Sequence, residues 1–101
     1  MEKRKPHYDL AAVKIVVQQR GEDAFTATAL MGAQAMGLDS AQVITLVCTM
    51  RQGNFYKRMT THASSRVWQD VYYMDTPNGK VVYVEVTLRA DGSVVIQIEE
   101  K

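Results

Sequence analysis

The chain has 101 residues, of which 47% are hydrophobic and 23% are charged, and its formal net charge is +1. This length and balance predict one folded domain over residues 1–101 and argue against a disordered chain. No apolar run approaches the ~20 residues that a membrane-spanning helix needs, and no apolar stretch follows the charged N-terminus as in a secretory signal. We therefore expect a cytoplasmic protein. The lone Cys48 excludes an internal disulfide, and its apolar surroundings predict a buried free thiol.

Positive charge is concentrated in one part of the chain. Residues 51–66 contain Arg51, Lys57, Arg58 and Arg66 and no acidic residue. Such a patch permits an anionic ligand, although the chain lacks the strongly basic footprint of a typical nucleic-acid-binding protein. By charge alone, a solvated surface without a ligand is the favoured alternative.

The first half of the chain has the pattern of helices. Polar residues that can cap a helix N-terminus alternate with glycines that can end a helix. Three helices are predicted, bounded by Asp9 and Gly21, by Thr26 or Thr28 and Gly37, and by Asp39 or Ser40 and Gly53.

The second half has the pattern of β-strands. Four strands are predicted, over residues 55–61, 67–73, 80–88 and 94–99. Turn residues at 75–79 and 91–92 separate the later strands. Helices followed by strands with short turns predict an α+β fold, in which three N-terminal helices pack on one face of a C-terminal antiparallel sheet.

Alternation in the last two strands predicts which side faces the helices. One side is entirely apolar and consists of Val82, Val84, Val86, Leu88, Val94, Ile96 and Ile98. The helices are expected to cover that side. The opposite side, with Tyr83, Glu85, Gln97 and Glu99, then faces outward. In the first two strands alternation groups Lys57 with Phe55 and Met59, but it leaves their facing open.

Common nucleotide-binding, metal-binding and hydrolase motifs are absent from the sequence. His7 and His62 are far apart in the chain with no third ligand suggested, so no metal site is expected. His62 ends the basic strand and has the intrinsic pKa, ~6.5, of a proton shuttle. A solvated histidine at a strand end is the alternative.

Cations and aromatic rings interleave on the first two predicted strands, in Tyr56-Lys57-Arg58 and in residues 68–73. Cations that hold phosphates and rings that stack on bases suit single-stranded RNA. The alternative is that Trp68 and Phe55 belong to the hydrophobic core.

The two strands also carry a family resemblance. Residues 55–61, FYKRMTT, followed by residues 68–72, WQDVY, closely resemble the MqsR toxins, the motility quorum-sensing regulator family. The resemblance covers essentially the whole chain. It extends to Met1-Glu2-Lys3-Arg4, Pro6-His7, Gly37-Leu38-Asp39 and Glu100-Lys101.

This resemblance implies a RelE-like toxin fold and an endoribonuclease, the mRNA interferase of a bacterial type II toxin–antitoxin system. Such toxins cut single-stranded mRNA at GCU-like sites without the ribosome and without a cofactor, and they arrest growth under stress. The implied partner is an MqsA-like antitoxin, which binds zinc and DNA. Operator DNA would be contacted only through the toxin–antitoxin complex.

Carried over by position, the resemblance implies that Lys57, Gln69 and Tyr83 are the catalytic residues. Further candidates for binding RNA are Arg58, Tyr56 and His62. The sequence departs from the family at Glu99, where the family has a lysine. An anion there is expected to weaken RNA binding if its side chain points inward. This departure gives some weight to an alternative function, a non-catalytic module that binds RNA or protein and has a weakened or lost active site.

Metal-free RNA cleavage requires three groups around the phosphate. One removes the proton from the attacking 2′-OH, one stabilises charge on the phosphate oxygens, and one protonates the leaving 5′ oxygen. Lys57 suits charge stabilisation, because its ammonium donates up to three hydrogen bonds. Tyr83 is the candidate for proton transfer, and Gln69 for orienting the phosphate or reading a base. Which group is the base and which the acid stays open.

Overall fold

The computed structural model describes residues 5–60 and 67–101. Three α-helices come first: α1 (Leu10–Arg20), α2 (Ala27–Ala35) and α3 (Ser40–Cys48). Four strands follow: β1 (Phe55–Thr60), β2 (Trp68–Asp75), β3 (Val81–Leu88) and β4 (Val94–Glu100). This order confirms the predicted α+β arrangement. None of the helices in these two ranges is long and apolar enough to cross a membrane.

The helices begin at capping residues that the sequence predicted. Asp9 caps α1, Thr26 rather than Thr28 caps α2, and Asp39 forms a capping box with Gln42 at the start of α3. Each cap accepts a hydrogen bond from a backbone N–H that has no partner within its own helix.

The end of α3 differs from the prediction. The helix ends at Cys48 and not near Gly53, because the hydroxyl of Thr49 donates to the carbonyl of Leu46 at 3.0 Å and satisfies one of the last helical acceptors. Cys48 itself packs against the core but is only half-buried, whereas the sequence predicted a buried thiol.

The strands form one antiparallel sheet in the order β1-β2-β3-β4. Its helix-facing side supplies Val82, Val84, Val86 and Ile96, each no more than 1% exposed, to a core shared with the three helices. The facing predicted for β3 and β4 is therefore confirmed. The other side of the sheet, which carries Tyr83 and Glu85, is called the open face below.

A bulge in β1 changes which side chains reach the open face. Phe55 pairs with Tyr72, whereas Lys57 pairs with the adjacent Val71, so Tyr56 is an extra residue in β1. An extra residue reverses the alternation that precedes it. Phe55 therefore packs against the core, while Lys57 lies on the open face. The grouping of Lys57 with Phe55 by strict alternation is wrong for this reason.

Buried Asp70 on β2 anchors the segment that precedes α1. The backbone N–H groups of His7 and Tyr8 each donate to its carboxylate at 2.8 Å. The Tyr8 hydroxyl donates to the carbonyl of Trp68 at 2.9 Å, and the His7 ring stacks on the Trp68 ring. Burial raises the pKa of Asp70 despite the opposing effect of these two N–H donors. The carboxylate thus stabilises the docked segment at a desolvation cost.

Replacing Asp70 with alanine is expected to lower the free energy of unfolding by about 2–4 kcal/mol, since two backbone N–H groups would lose their buried acceptor. Urea denaturation followed by Trp68 fluorescence measures the change. Asp75→Ala is the matched control, because Asp75 is an exposed carboxylate on the same strand. Equal unfolding midpoints for the two variants would contradict the anchoring role.

Candidate active site

A shallow cavity of about 320 Å³ lies on the open face of the sheet and is called the sheet cavity here. All four strands contribute to its lining, which consists of Tyr56, Lys57, Met59, Gln69, Val71, Tyr83, Glu85 and Glu99. The three predicted catalytic residues therefore lie around one cavity, although each comes from a different strand.

Strand register explains how these side chains meet. Lys57 on β1 and Glu85 on β3 both pair with Val71 on β2, so the three residues form one row across the sheet. Val71 is only 4% exposed and forms the floor of the cavity between the two charged side chains. Gln69 lies two residues along β2 from Val71, on the same face.

Three tyrosines form a second row at one side of the cavity. The ring centroids of Tyr56 and Tyr73 are 4.5 Å apart, and those of Tyr73 and Tyr83 are 4.9 Å apart. Two ammonium groups contact this row. Lys57 Nζ is 5.1 Å from the Tyr56 centroid, and Lys101 Nζ is 4.9 Å from the Tyr73 centroid. The row joins aromatic surface to positive charge next to the cavity.

Tyr73 received no role from the sequence. Desolvation and its contacts with the Tyr83 and Tyr56 phenols raise the pKa of Tyr73. Its alternation with Gln69 and Val71 is the signal that points to the open face. Its place between Tyr56 and Tyr83 depends on the pairing of three strands.

Two glutamates give the cavity an unexpected negative charge. Glu99 is exposed at the rim and pairs across strands with Tyr83, while Glu85 is half-buried. Burial and the negative charge of Glu99 raise the pKa of Glu85. Because Glu99 lines the cavity, it meets the condition under which an anion at this position is expected to oppose RNA binding.

One of the predicted RNA-binding residues, Arg58, is not brought to the cavity. Arg58 pairs with Asp70, and its guanidinium lies 5.1 Å from the centroid of the Trp68 ring, away from the open face. Successive side chains of a strand point to opposite faces of the sheet. Because Lys57 lies on the open face, the next residue, Arg58, points to the other face. His62 lies outside the described residues.

The chemistry of the sheet cavity is that of a site for a polar, charged ligand. Lys57, Gln69 and Tyr83 supply an ammonium, an amide and a phenol, all of which donate hydrogen bonds, and the two glutamates accept them. Across residues 5–60 and 67–101, we find no group of three His, Cys, Asp or Glu side chains placed to hold a metal ion.

Comparisons with known proteins agree with the resemblance in the β1 and β2 sequences. The model of the family described as "Motility quorum-sensing regulator, toxin of MqsA" matches residues 5–100. The mRNA interferase toxin MqsR of Escherichia coli (strain K12) is 36% identical over 101 residues, which cover 100% of both chains. On this full-length match, the chain belongs to the MqsR family of motility quorum-sensing regulator toxins.

Proposed function

We propose that this chain is an mRNA interferase, a toxin that cuts single-stranded mRNA in the cytoplasm. The observation that carries the proposal is the sheet cavity, in which Lys57, Gln69 and Tyr83 surround a space open to solvent. The name of the E. coli relative, mRNA interferase toxin, supports the same activity. An open sheet with a cationic and aromatic surface is also accessible to an extended RNA strand.

The proposed reaction uses the ribose 2′-OH as the nucleophile and needs neither a metal ion nor the ribosome. The 2′ oxygen attacks the adjacent phosphorus, and the 5′ oxygen leaves. Lys57 donates to the non-bridging phosphate oxygens as their charge increases. Gln69 orients the phosphate, and Tyr83 protonates the leaving oxygen. The products are a 2′,3′-cyclic phosphate and a 5′-OH end.

The tyrosine row supports a path for the RNA next to the reacting phosphate. Tyr56 is 45% exposed at the edge of the sheet, so part of its side chain is accessible to a base. We propose Tyr56 as a base-stacking residue and Arg58 as a contact with RNA beyond the cavity. His62 is also proposed to bind RNA. Sites of the GCU type are the proposed targets.

The proposed partner is an MqsA-like antitoxin that binds zinc and DNA and blocks the toxin. The family description, "toxin of MqsA", supports this assignment. Contact with operator DNA would then occur only through the antitoxin complex.

Mapping the ends of a defined RNA tests the function. The purified chain is expected to cut a single-stranded RNA that contains GCU sites, without ribosomes, and to leave discrete 5′-OH ends at the same rate with and without EDTA. Activity lost on chelation would contradict the metal-free reaction. Intact RNA of shifted mobility would favour the alternative, a module that binds RNA and does not cut it.

A further inference from the structure

We propose that Glu85 is the general base of this site, the group that takes the proton from the attacking 2′-OH. The inference rests on the proposed function and extends it, because nothing in the family resemblance assigns a role to this position. The alternation of β3 predicts Glu85 on the outward side of the sheet but indicates no function for it. The proposal makes it a catalytic residue.

The position of Glu85 is the first support. Glu85 lies two residues from Tyr83 on the same face of β3, so their Cα atoms are roughly 7 Å apart. On the other side, Glu85 and Lys57 flank Val71 in one cross-strand row. A phosphodiester bound between the side chains of Tyr83 and Glu85, next to Val71, therefore has the phenol on one side and the carboxylate on the other. The Lys57 ammonium faces it from β1, across Val71. In-line attack needs its base and its acid on different sides of the phosphorus, and this arrangement supplies both.

The composition of the cavity is the second support. Lys57 in its ammonium form has no lone pair for a proton, and Gln69 is not a base in water. Met59 and Val71 are apolar. Among the described lining residues, the proton acceptors at neutral pH are thus the two carboxylates. Glu85 is half-buried beside the cavity floor, whereas Glu99 is exposed at the rim.

The electrostatic surroundings adjust the strength of this base. The groups that face Glu85 are Glu99 and Gln97 from β4, Lys57 from β1 across Val71, and Tyr83 from its own strand. Burial and the charge of Glu99 raise the pKa of Glu85, and a carboxylate with a raised pKa accepts a proton more readily. Glu99 is then a positioning residue that acts through Glu85, which gives the anion at the family's lysine position a function.

The proposed step is balanced in atoms and charge. The proton leaves the 2′ oxygen for a carboxylate oxygen of Glu85, and the freed electron pair of the 2′ oxygen forms the new bond to phosphorus. The bond between phosphorus and the 5′ oxygen breaks, and Tyr83 donates its phenolic proton to that oxygen. The protonated Glu85 then returns the proton to the Tyr83 phenolate through water, which restores both groups.

The pH dependence of kcat/KM tests the proposal. For the unmodified chain, kcat/KM is expected to rise with pH along an acid limb whose midpoint lies above the ordinary glutamate value of 4.5, because the carboxylate must be ionised to act. Glu85→Gln is expected to lower kcat/KM at neutral pH at least ~100-fold and to abolish this limb. Glu99→Gln is expected to keep the limb and move its midpoint to lower pH, since a like charge is removed.

Three controls separate catalysis from folding and binding. Glu100→Gln removes a carboxylate from the neighbouring position on β4, which is bridged to Lys80 at 3.4 Å, and is expected to leave rate and limb unchanged. Glu85→Asp is expected to retain the acid limb of the pH profile, with a lower kcat/KM than the unmodified chain. Glu85→Gln is expected to bind an RNA with 2′-deoxyribose at the cleavage site at least as tightly as the unmodified chain, because a negative charge has been removed.

The results that overturn the proposal are distinct from those that overturn the function. A Glu85→Gln variant that cuts at the normal rate, or that keeps the acid limb, removes Glu85 from the reaction and leaves the ribonuclease assignment intact. A midpoint that is unmoved in Glu99→Gln contradicts the coupling of the two carboxylates. An unmodified chain that produces no 5′-OH ends refutes the proposed function and this inference together.

Discussion

Replacing Lys57 with alanine is expected to lower kcat/KM for RNA cleavage at least ~100-fold while the chain stays folded. The ammonium of Lys57 is the proposed partner of the phosphate oxygens, whose negative charge increases as the fifth bond to phosphorus forms. Its attraction is therefore stronger in the transition state than in the bound substrate, and its loss is expected to affect kcat more than KM.

Lys80→Ala is the matched control for Lys57→Ala. Lys80 lies outside the lining of the sheet cavity and forms an exposed ion pair with Glu100, so its removal is expected to change neither cleavage nor folding measurably. Single-turnover cleavage of a defined RNA measures the rate, and the urea midpoint of each variant monitors folding. A Lys57→Ala variant with an unchanged rate would exclude the lysine from the reaction.

Replacing Tyr83 with phenylalanine is expected to slow cleavage ~100-fold to ~10,000-fold. The substitution removes one hydroxyl and keeps the ring that contacts Tyr73 at a centroid distance of 4.9 Å. Loss of rate would then report on proton transfer and not on the packing of the tyrosine row. Tyr8→Phe is the matched control, because it removes a phenol hydroxyl that bonds to the Trp68 carbonyl away from the cavity.

A modified substrate identifies the step at which Tyr83 acts. An RNA whose leaving 5′ oxygen is replaced by sulfur needs no acid, since a thiolate is a much better leaving group than an alkoxide. Tyr83→Phe is expected to cut this RNA nearly as fast as the unmodified chain does. If the variant is equally slow on both substrates, Tyr83 is not the general acid.

The sequence predicted the parts of the fold that depend on neighbouring residues. Capping residues marked the starts of the helices, and alternation over β3 and β4 placed Tyr83, Glu85 and Glu99 on the uncovered side of the sheet. Both signals are local, because a cap bonds within its own first turn and a strand alternates with a fixed period of two residues. The FYKRMTT and WQDVY segments likewise identified the family.

The site itself depended on pairing between strands. The bulge at Tyr56 brought Lys57 to the open face. Because successive side chains of a strand alternate between faces, Arg58 then pointed to the opposite face, where it contacts Trp68. Register placed Tyr73 between two other tyrosines, and it aligned Glu85 with Lys57 across Val71.

The sequence by itself thus determined the order of the elements, the outward face of β3 and β4, and the family. Only the tertiary structure decided which side chains share the cavity. The physical reason is that register and bulges are set by hydrogen bonds to an adjacent strand and by packing against the core, and neither is encoded in the period of a single strand.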